Sequence, residues 1–270
     1  MGMDGVEKIN RSVARALDML ELVAGTRDEL TITEISNQLG IPKSTTFDII
    51  YTLVDKGYLE IANPRVKSFR LGLKLFQTGA VYLDQTPFHE AARSVLEELA
   101  ATAQETSFLA MENDGMLVYL DKVESAASVR TSARIGSNNP LYCTGLGKAL
   151  LATMPDEQVK AILDKTGGLQ PITPYTVTDE ARFFGVLNEA RQRGYVIDDR
   201  EHNSEVFCVA APIYNARGKV QAALSIASLF SKVKDNPERI AELGSLISTA
   251  ALTLSRRIGF RGEHLYQEFR

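Results

Sequence analysis

In the first 60 residues, side chains suited to a protein core, most of them apolar, recur every three or four positions and so predict three helices. The first helix is followed by Gly25. The second begins at Thr31, where a Thr with Glu34 three residues later is the pattern of a capping box, and it ends at Gly40. Pro42 suits the first turn of the third helix, which ends at Gly57. The positions that define the three helices are Val13, Ala16, Leu17, Leu20 and Val23, then Ile35 and Leu39, then Thr46, Ile49, Ile50 and Leu53.

The short turn at Gly40 joins two helices, which is the arrangement of a helix-turn-helix. After Gly57 the sequence predicts a strand over 58–61, a turn over 62–65 and a strand over 66–71. These elements form a winged helix-turn-helix over residues 8–71. An amphipathic segment from Leu73 to Leu83 predicts a linker helix within residues 72–85.

The remaining residues, 86–260, mix helices with strands. A helix is predicted over 87–103, and two apolar runs, 108–111 and 116–123, flank the hairpin signal Asp114-Gly115. Helices are expected to begin at Gly145, near Asp156 and near Asp179, and a last helix covers 237–258. Further strands are expected over 129–135, 195–198, 206–214 and 220–227. The fold class is therefore α+β with two domains, the second built on a mostly antiparallel sheet.

The composition narrows the class of protein. Hydrophobic residues make up 44% of the 270 positions and charged residues 24%, as in soluble globular proteins. No apolar run approaches the roughly 18 residues that span a bilayer, and the N-terminal segment has no apolar signal core. We therefore expect a cytoplasmic protein with no membrane partner. The two cysteines, Cys143 and Cys208, fit a reducing compartment.

A local basic stripe predicts a nucleic-acid partner, although the net charge of the chain is −4. The stripe contains Arg65, Lys67, Arg70 and Lys74, with no acidic residue between residues 65 and 74. We expect Arg65 and Lys67 on the wing to neutralise phosphates or enter the minor groove of double-stranded DNA. A winged helix that serves mainly dimer or protein contacts remains the alternative.

The third helix is the expected recognition helix. If its apolar positions face the core, its outward positions lie where a recognition helix meets base edges in the major groove. Those positions are Lys43, Ser44, Thr45, Asp48 and Tyr51. Asp48 is an acid that repels phosphate, so it either accepts a hydrogen bond from cytosine N4 or lies clear of the DNA.

The segment 139–151 places two glycines and Lys148 at a helix start, where unpaired amides attract anions. It lacks the spacing of a P-loop, because Tyr142 and Ala149 stand where that motif needs Gly and Ser or Thr. The alternative is a helix that packs closely through glycine. From these residues alone, both interpretations stay open.

Evidence for catalysis is weak. Asp198, Asp199, Glu201 and His202 form an acidic cluster that is a poor metal site, and Cys208 lies on an apolar strand as a small core residue would. A small-acid enzyme that uses Cys208, or a metal at Asp198 and His202, is therefore a minor alternative. We expect no enzyme activity, no cofactor and no metal.

Four stretches together resemble the IclR family of bacterial transcription regulators: LTITEISNQLGIPKSTTFDIIYTLVDKGYLE (30–60), FRLGLKLFQTGAVYLDQ (69–85), PLYCTGLGKALLA (140–152) and RGYVIDDREHNSEVFCVAAPI (193–213). The resemblance covers about residues 8–258. It implies an N-terminal winged-helix DNA reader and a C-terminal GAF-like effector domain. It also implies dimers, often paired into tetramers, on palindromic operators, with a small organic or aromatic acid as effector.

The resemblance also implies the residues of an effector pocket: Gly145, Leu146, Asp198, Cys208, Ser225 and Ala227. Ala227 departs from the family, which has a second serine there, and the adjacent Ser228 is expected on the other face of the strand. Asp48, where the family often has Arg, and the segment 203–206, where a Gly is usual, are further departures. The amides of Gly145 and Leu146 are then expected to hold the effector's carboxylate. Asp198 repels a carboxylate when ionised, so we expect it to accept a hydrogen bond from an effector hydroxyl or hydrate.

Overall fold

The computed structural model describes residues 9–84 and 88–266, with the backbone alone for residues 82–84. These residues form two compact units, divided between residues 87 and 88. The expected end of the linker helix at residue 85 and the expected helix start at Pro87 lie outside the described residues. We call the first part the reader unit and the second the effector unit.

The reader unit combines four helices with a small sheet among its described residues. Its sheet is antiparallel with the strand order β1-β3-β2. The helices are α1 (Arg11–Gly25), α2 (Ile32–Leu39), α3 (Lys43–Asp55) and α4 (Leu73–Asp84), and the strands are β1 (Leu30–Thr31), β2 (Leu59–Asn63) and β3 (Ser68–Leu71). The winged helix-turn-helix predicted from the sequence is confirmed.

Thr31 shows how local chemistry sets the start of α2. Its hydroxyl accepts from the Glu34 amide, and the Glu34 carboxylate accepts from the Thr31 amide at 2.7 Å, so the predicted capping box is confirmed. Thr31 also pairs with Ser68 in β3, which makes β1 a third strand that the helical pattern concealed. The helix ends at Gly40, whose φ of 64° is the left-handed conformation that glycine adopts without strain.

The apolar stripe that predicts α1 coincides only in part with the face that this helix buries. Met19 and Val23 enter the core of the reader unit, whereas Val13 and Leu17 remain 55% and 54% exposed. The helix is confirmed but its core face is only partly the one that the spacing suggests. The core itself consists of Met19, Val23, Leu30, Ile35, Ile41, Ile50, Leu59 and Phe69.

The effector unit is built on a six-stranded antiparallel sheet with the order β6-β5-β4-β9-β8-β7. The Ser107 hydroxyl donates to the Leu96 carbonyl in α5. Because neighbouring side chains on a strand point to opposite faces of the sheet, α5 covers the face opposite to the one that carries Phe108. Helix α10 packs beside α5 on that face. The short helix α6 packs on the Phe108 face, against β8 and β9.

The elements of the effector unit follow the prediction closely. The strands are β4 (Thr106–Asn113), β5 (Met116–Val123), β6 (Asn138–Pro140), β7 (Val196–Asp199), β8 (Val206–Tyr214) and β9 (Val220–Leu229). The helices are α5 (His89–Ala103), α6 (Gly145–Leu151), α7 (Asp156–Lys165), α8 (Glu180–Arg193), α9 (Phe230–Val233) and α10 (Pro237–Arg257). Within residues 9–84 and 88–266, no helix is long and apolar enough to cross a membrane.

One predicted strand is wrong. Residues 129–135 are irregular, and the edge strand is instead β6, which pairs with β5. The hydrogen bonds of the segment go to different partners: the Thr131 hydroxyl donates to the Ala227 carbonyl at 3.2 Å, and the Thr131 carbonyl accepts from the Thr106 hydroxyl. These side-chain hydrogen bonds attach the segment to β9 and β4. It therefore does not pair with β5 through backbone hydrogen bonds.

Candidate functional site

The start of α3 presents polar groups to the surface of the reader unit. Lys43 and Ser44 are exposed, Thr45 is half-buried, and no side chain caps the amides of the first turn. The first amides of a helix have no acceptor within the helix, so this end is suited to phosphate oxygens. The arrangement matches the predicted outward face.

Tyr51 and Asp48 occupy different surroundings from those that helical spacing suggests. Tyr51 is half-buried, with its ring edge-on to Phe69 at 6.0 Å, so it belongs partly to the core. Phe47, which the sequence analysis passed over, is 45% exposed and packs on Tyr51. Asp48 borders an apolar groove between α3 and α1, beside Val13 and Leu17.

The wing turn spans residues 64–67 and carries Arg65 and Lys67 at the surface. Lys67 has a φ of 54°, a left-handed conformation that disfavours most side chains. Arg70, further along the basic stripe, forms an ion pair with Glu60 of the neighbouring strand at 3.2 Å. Arg65 and Lys67 therefore place two of the four positive charges of the stripe at the tip of the wing, and Lys74 lies exposed on α4.

A cavity of about 480 Å³ opens on the Phe108 face of the effector unit. All six residues expected in the effector pocket line it, namely Gly145, Leu146, Asp198, Cys208, Ser225 and Ala227. Sheet register explains the convergence, because Asp198 pairs with Cys208 and Cys208 with Ala227, which places them in one row across three strands. Ser225 lies two residues before Ala227 and so shares its face.

Asp198 lines this cavity and is buried. One carboxylate oxygen accepts from the Gly145 amide at 3.1 Å, and the other accepts from the Glu201 amide at 2.9 Å. Burial raises the pKa of Asp198 to about 6, opposed by the nearby Lys148 ammonium. In this structure the Gly145 amide donates to the protein's own carboxylate, and its use by an effector carboxylate stays a prediction.

The Lys148 side chain binds groups inside the protein. Its ammonium is fully buried, forms an ion pair with the Glu201 carboxylate and donates to the Ile197 carbonyl at 3.0 Å. The two glycines allow close packing: a Cβ at Gly145 would meet the Cys208 sulfur at 3.2 Å, and one at Gly147 would lie 2.2 Å from the Leu141 carbonyl oxygen. The close-packing interpretation of this segment is thus confirmed for both glycines.

Ser225 is the polar group whose surroundings are incomplete. Its hydroxyl is fully buried, lines the cavity and has no hydrogen-bond partner among the described residues, apart from an approach to the Cys208 thiol. Ser228 faces the opposite side of the sheet, where its hydroxyl donates to Glu105 at 3.0 Å. The second hydroxyl is therefore absent from the cavity, as the Ala227 departure predicts.

Groups suited to catalysis or metal binding are not assembled here. Burial raises the pKa of the Cys208 thiol to about 12, so the thiol stays protonated and is a poor nucleophile. Asp199 pairs with Arg200 at 2.7 Å, and burial lowers the pKa of His202. Within residues 9–84 and 88–266, no group of His, Cys, Asp or Glu could hold a metal ion.

Sequence reasoning missed several polar residues of the cavity wall, and Arg130, Tyr119 and Asn139 are three of them. Arg130 reaches the cavity from the irregular segment that was predicted as a strand, and Tyr119 and Asn139 bond each other on β5 and β6. Burial raises the pKa of Tyr119 to about 12, so its hydroxyl keeps its proton. No local motif marks these residues, since they converge only through the sheet.

Comparisons with known families agree with this architecture. Residues 12–61 match the family described as "IclR helix-turn-helix domain", and residues 80–256 match "Bacterial transcriptional regulator IclR C-terminal". Together these two matches include the recognition helix and the whole cavity.

Similar proteins extend over nearly the full chain. The regulator XynR of Escherichia coli is 33% identical over 93% of this chain and 98% of its own length, and KdgR of the same species is 32% identical over 92% and 93%. A solved IclR-type regulator from Alicyclobacillus acidocaldarius superposes with a TM-score of 0.81 at 26% identity, covering 92% of this chain and 98% of that one. The Thermotoga maritima IclR structure gives a TM-score of 0.74 at 27% identity, covering 93% and 99%.

Proposed function

Because this chain belongs to the IclR family of bacterial transcriptional regulators, we propose that it binds palindromic operator DNA and senses a small organic acid. DNA binding through the helix-turn-helix, and regulation rather than catalysis, follow from the family. The observation that carries the effector proposal is the cavity that joins the buried Asp198 carboxylate to the Ser225 hydroxyl. A buried hydroxyl without a partner costs stability, and a ligand that bonds it removes that cost.

We propose that the uncapped start of α3 and the tip of the wing form the DNA-contacting surface. Lys43, Ser44 and Thr45 are placed to meet phosphates and base edges, and Arg65 and Lys67 to neutralise phosphates. Tyr51 is half-buried beside this surface, and we expect it to contribute a smaller contact. Asp48 borders the groove between α3 and α1, and we expect its charge to lie to one side of this surface.

A palindromic operator requires a two-fold reader, so the functional form is a homodimer, with pairing into tetramers as a further step. Two apolar surfaces of the reader unit support association. One is the groove beside Val13 and Leu17, and the other lies on α4, where Leu73 and Phe76 are 63% and 73% exposed. Exposed apolar surface of this kind marks interaction sites.

Effector binding changes DNA affinity only if the effector binds one arrangement of the dimer more tightly than the other. The cavity lies between α6 and strands β7, β8 and β9, so a ligand there contacts elements from both layers of the effector unit. We expect α4 to pass the resulting change to the spacing of the two recognition helices.

The DNA-binding surface is tested with a wing variant, Arg65→Ala with Lys67→Asn, in the full-length protein. Asn tolerates the left-handed backbone at residue 67, so the folded unit is preserved. Fluorescence anisotropy on promoter DNA over a range of salt should show a slope reduced by about 0.9 for each phosphate that the variant no longer neutralises. Lys165→Ala, an exposed change in the effector unit, should leave the slope unchanged.

A second variant, Thr45→Ala, separates base reading from charge. It should reduce discrimination between operator and random DNA more than it reduces non-specific binding, because its hydroxyl lies at the start of the recognition helix. If neither the wing variant nor Thr45→Ala alters operator binding, the winged helix serves dimer or protein contacts instead.

A further inference from the structure

The chain continues beyond α10 in a segment that folds back onto the effector unit. The family match ends at residue 256, whereas the described residues run on to Tyr266. The chain turns at Gly259, whose φ of 97° is left-handed and where a Cβ would lie 2.9 Å from the Ala216 side chain. We call residues 260–266 the strap, because this turn directs them against the body of the effector unit.

The strap is held by apolar side chains near its two ends. Phe260, Leu265 and Tyr266 are buried and belong to the same hydrophobic cluster as the sheet. The Phe260 ring stacks on the ring of Tyr214 in β8 with centroids 5.0 Å apart, and the Tyr214 hydroxyl accepts from the Tyr266 amide at 3.2 Å. Most residues between these ends are exposed. The strap therefore depends on a few contacts, with Tyr266 as its largest buried side chain.

Tyr266 reaches the end of α6. Its hydroxyl donates to the Ala149 carbonyl at 3.4 Å, and burial raises the pKa of Tyr266 well above its usual value, so it keeps the proton that it donates. In a continuing helix the Ala149 carbonyl accepts from the amide four residues later, but the Thr153 amide donates to the Leu150 carbonyl at 3.1 Å instead. Tyr266 therefore supplies a bond that the end of a helix lacks within itself.

The position of α6 depends on such contacts because the helix is short. A helix of seven residues is unstable by itself in water. Its start lines the cavity with Gly145 and Leu146, and its end is held by Arg191 of α8, which donates to the Ala152 carbonyl at 3.0 Å. The strap is a second support at this end. A change at the strap therefore reaches the cavity wall through about two turns of helix.

The strap is suited to local release. A segment with few buried contacts opens at a lower free-energy cost than the whole unit. Tyr266 also has a φ of 56°, a left-handed conformation that disfavours bulky side chains, so undocking relieves backbone strain. The contacts of the Tyr266 side chain oppose this release, and their loss is expected to shift the strap toward the undocked state.

We infer that Tyr266 is a positioning residue for the α6 wall of the cavity, and that release of the strap loosens this wall. The consequence for sensing rests on the proposed function: an effector in contact with Gly145 or Leu146 binds the docked arrangement more tightly and so favours docking. The strap then gives this chain a means of regulation that lies outside the residues of the family match.

Thiol labelling of the full-length protein tests this inference, because the two cysteines of the chain flank the start of α6. Cys143 directly precedes the helix cap Thr144, the Cys208 sulfur lies 3.2 Å from the Cβ position of Gly145, and both cysteines are buried. Labelling by a chromogenic disulfide reagent is therefore slow while α6 is in place, and its rate measures how often this helix moves away.

Two substitutions separate the hydroxyl of Tyr266 from its ring. Tyr266→Phe removes only the hydrogen bond and should raise the labelling rate about 2- to 10-fold. Tyr266→Ala also removes the ring and should raise the rate about 100-fold. His264→Ala, an exposed change in the same strap, is the control and should leave the rate unchanged.

Leu99→Ala controls for a general loss of stability. Leu99 is buried in α5, on the opposite face of the sheet from α6, so its replacement favours global unfolding from a distant site. Global unfolding exposes much surface and therefore depends steeply on urea, whereas local release exposes little. Below the unfolding transition, we expect the labelling rate of Tyr266→Ala to depend weakly on urea and that of Leu99→Ala to depend on it strongly.

Three results would overturn the inference: an unchanged labelling rate in Tyr266→Phe, an increase in His264→Ala as large as that in Tyr266→Ala, or the same urea dependence for Tyr266→Ala and Leu99→Ala. Tyr266→Phe keeps the ring, so it decides the matter if Tyr266→Ala does not fold. The labelling uses neither DNA nor effector. Loss of the proposed operator binding in the wild type would therefore count against the proposed function and leave the strap result standing.

Discussion

The reader and effector units place their polar chemistry in opposite locations. The reader unit has an apolar core, and its candidate DNA contacts are surface side chains such as Lys43, Ser44 and Arg65. The effector unit instead buries a lysine, two carboxylates and an unpartnered hydroxyl around its cavity. Substitutions in the reader unit can therefore alter function at little cost to folding, whereas those in the effector unit change function and stability together.

The largest effect is expected where α6 packs most tightly. Gly147→Ala would place a Cβ 2.2 Å from the Leu141 carbonyl oxygen, a backbone atom that cannot move aside, so we expect a loss of about 4 kcal/mol or more in the free energy of unfolding. The matched control is Gly185→Ala in α8, where a Cβ meets nothing within 4 Å. Replacing that helical glycine should stabilise the protein by up to about 1 kcal/mol. Urea unfolding followed by circular dichroism measures both changes, and equal effects would refute the packing argument.

The buried ion pair provides a direct contrast with a surface pair of the reader unit. Lys148→Met leaves Glu201 buried without its partner, which should cost about 3–5 kcal/mol, whereas Arg70→Ala breaks the exposed pair with Glu60 and should cost less than about 1 kcal/mol. Adding Glu201→Leu to Lys148→Met should recover most of the loss. If Lys148→Met cost no more than Arg70→Ala in the same urea experiment, the contrast between the two units would be lost.

The pH dependence of stability should reveal the buried Asp198. Its folded pKa of about 6 lies above the usual value near 3.9, so the native state binds a proton that the unfolded chain releases. Its contribution is fully present below about pH 4 and is lost as the pH rises through 6, a change on the order of 3 kcal/mol. Asp198→Asn should remove this slope. Identical slopes for the two proteins between pH 4 and 7, measured by urea unfolding at each pH, would show that Asp198 titrates normally.

Local sequence determined most of the secondary structure, because caps, turns and apolar spacing act over a few residues. Thr31 with Glu34 defines the start of α2, and the Asp114-Gly115 hairpin and β8 lie where the pattern predicts. The sequence also indicated the family and six of the residues that line the cavity, although their roles with an effector stay predictions. It failed at residues 129–135, whose hydrogen bonds depend on distant partners in β4 and β9.

Only the tertiary structure decided which polar groups are already satisfied within the protein. Glycines and a lysine at a helix start suggest an anion site. In the structure, however, strand β7 brings Asp198 to the Gly145 amide, and Glu201, just beyond that strand, forms an ion pair with Lys148. Arg130 and Tyr119 join the same cavity from segments that carry no motif. Pairing across a sheet joins residues far apart in the chain, so neither the partner of the Gly145 amide nor the full set of residues around the cavity can be inferred from local spacing.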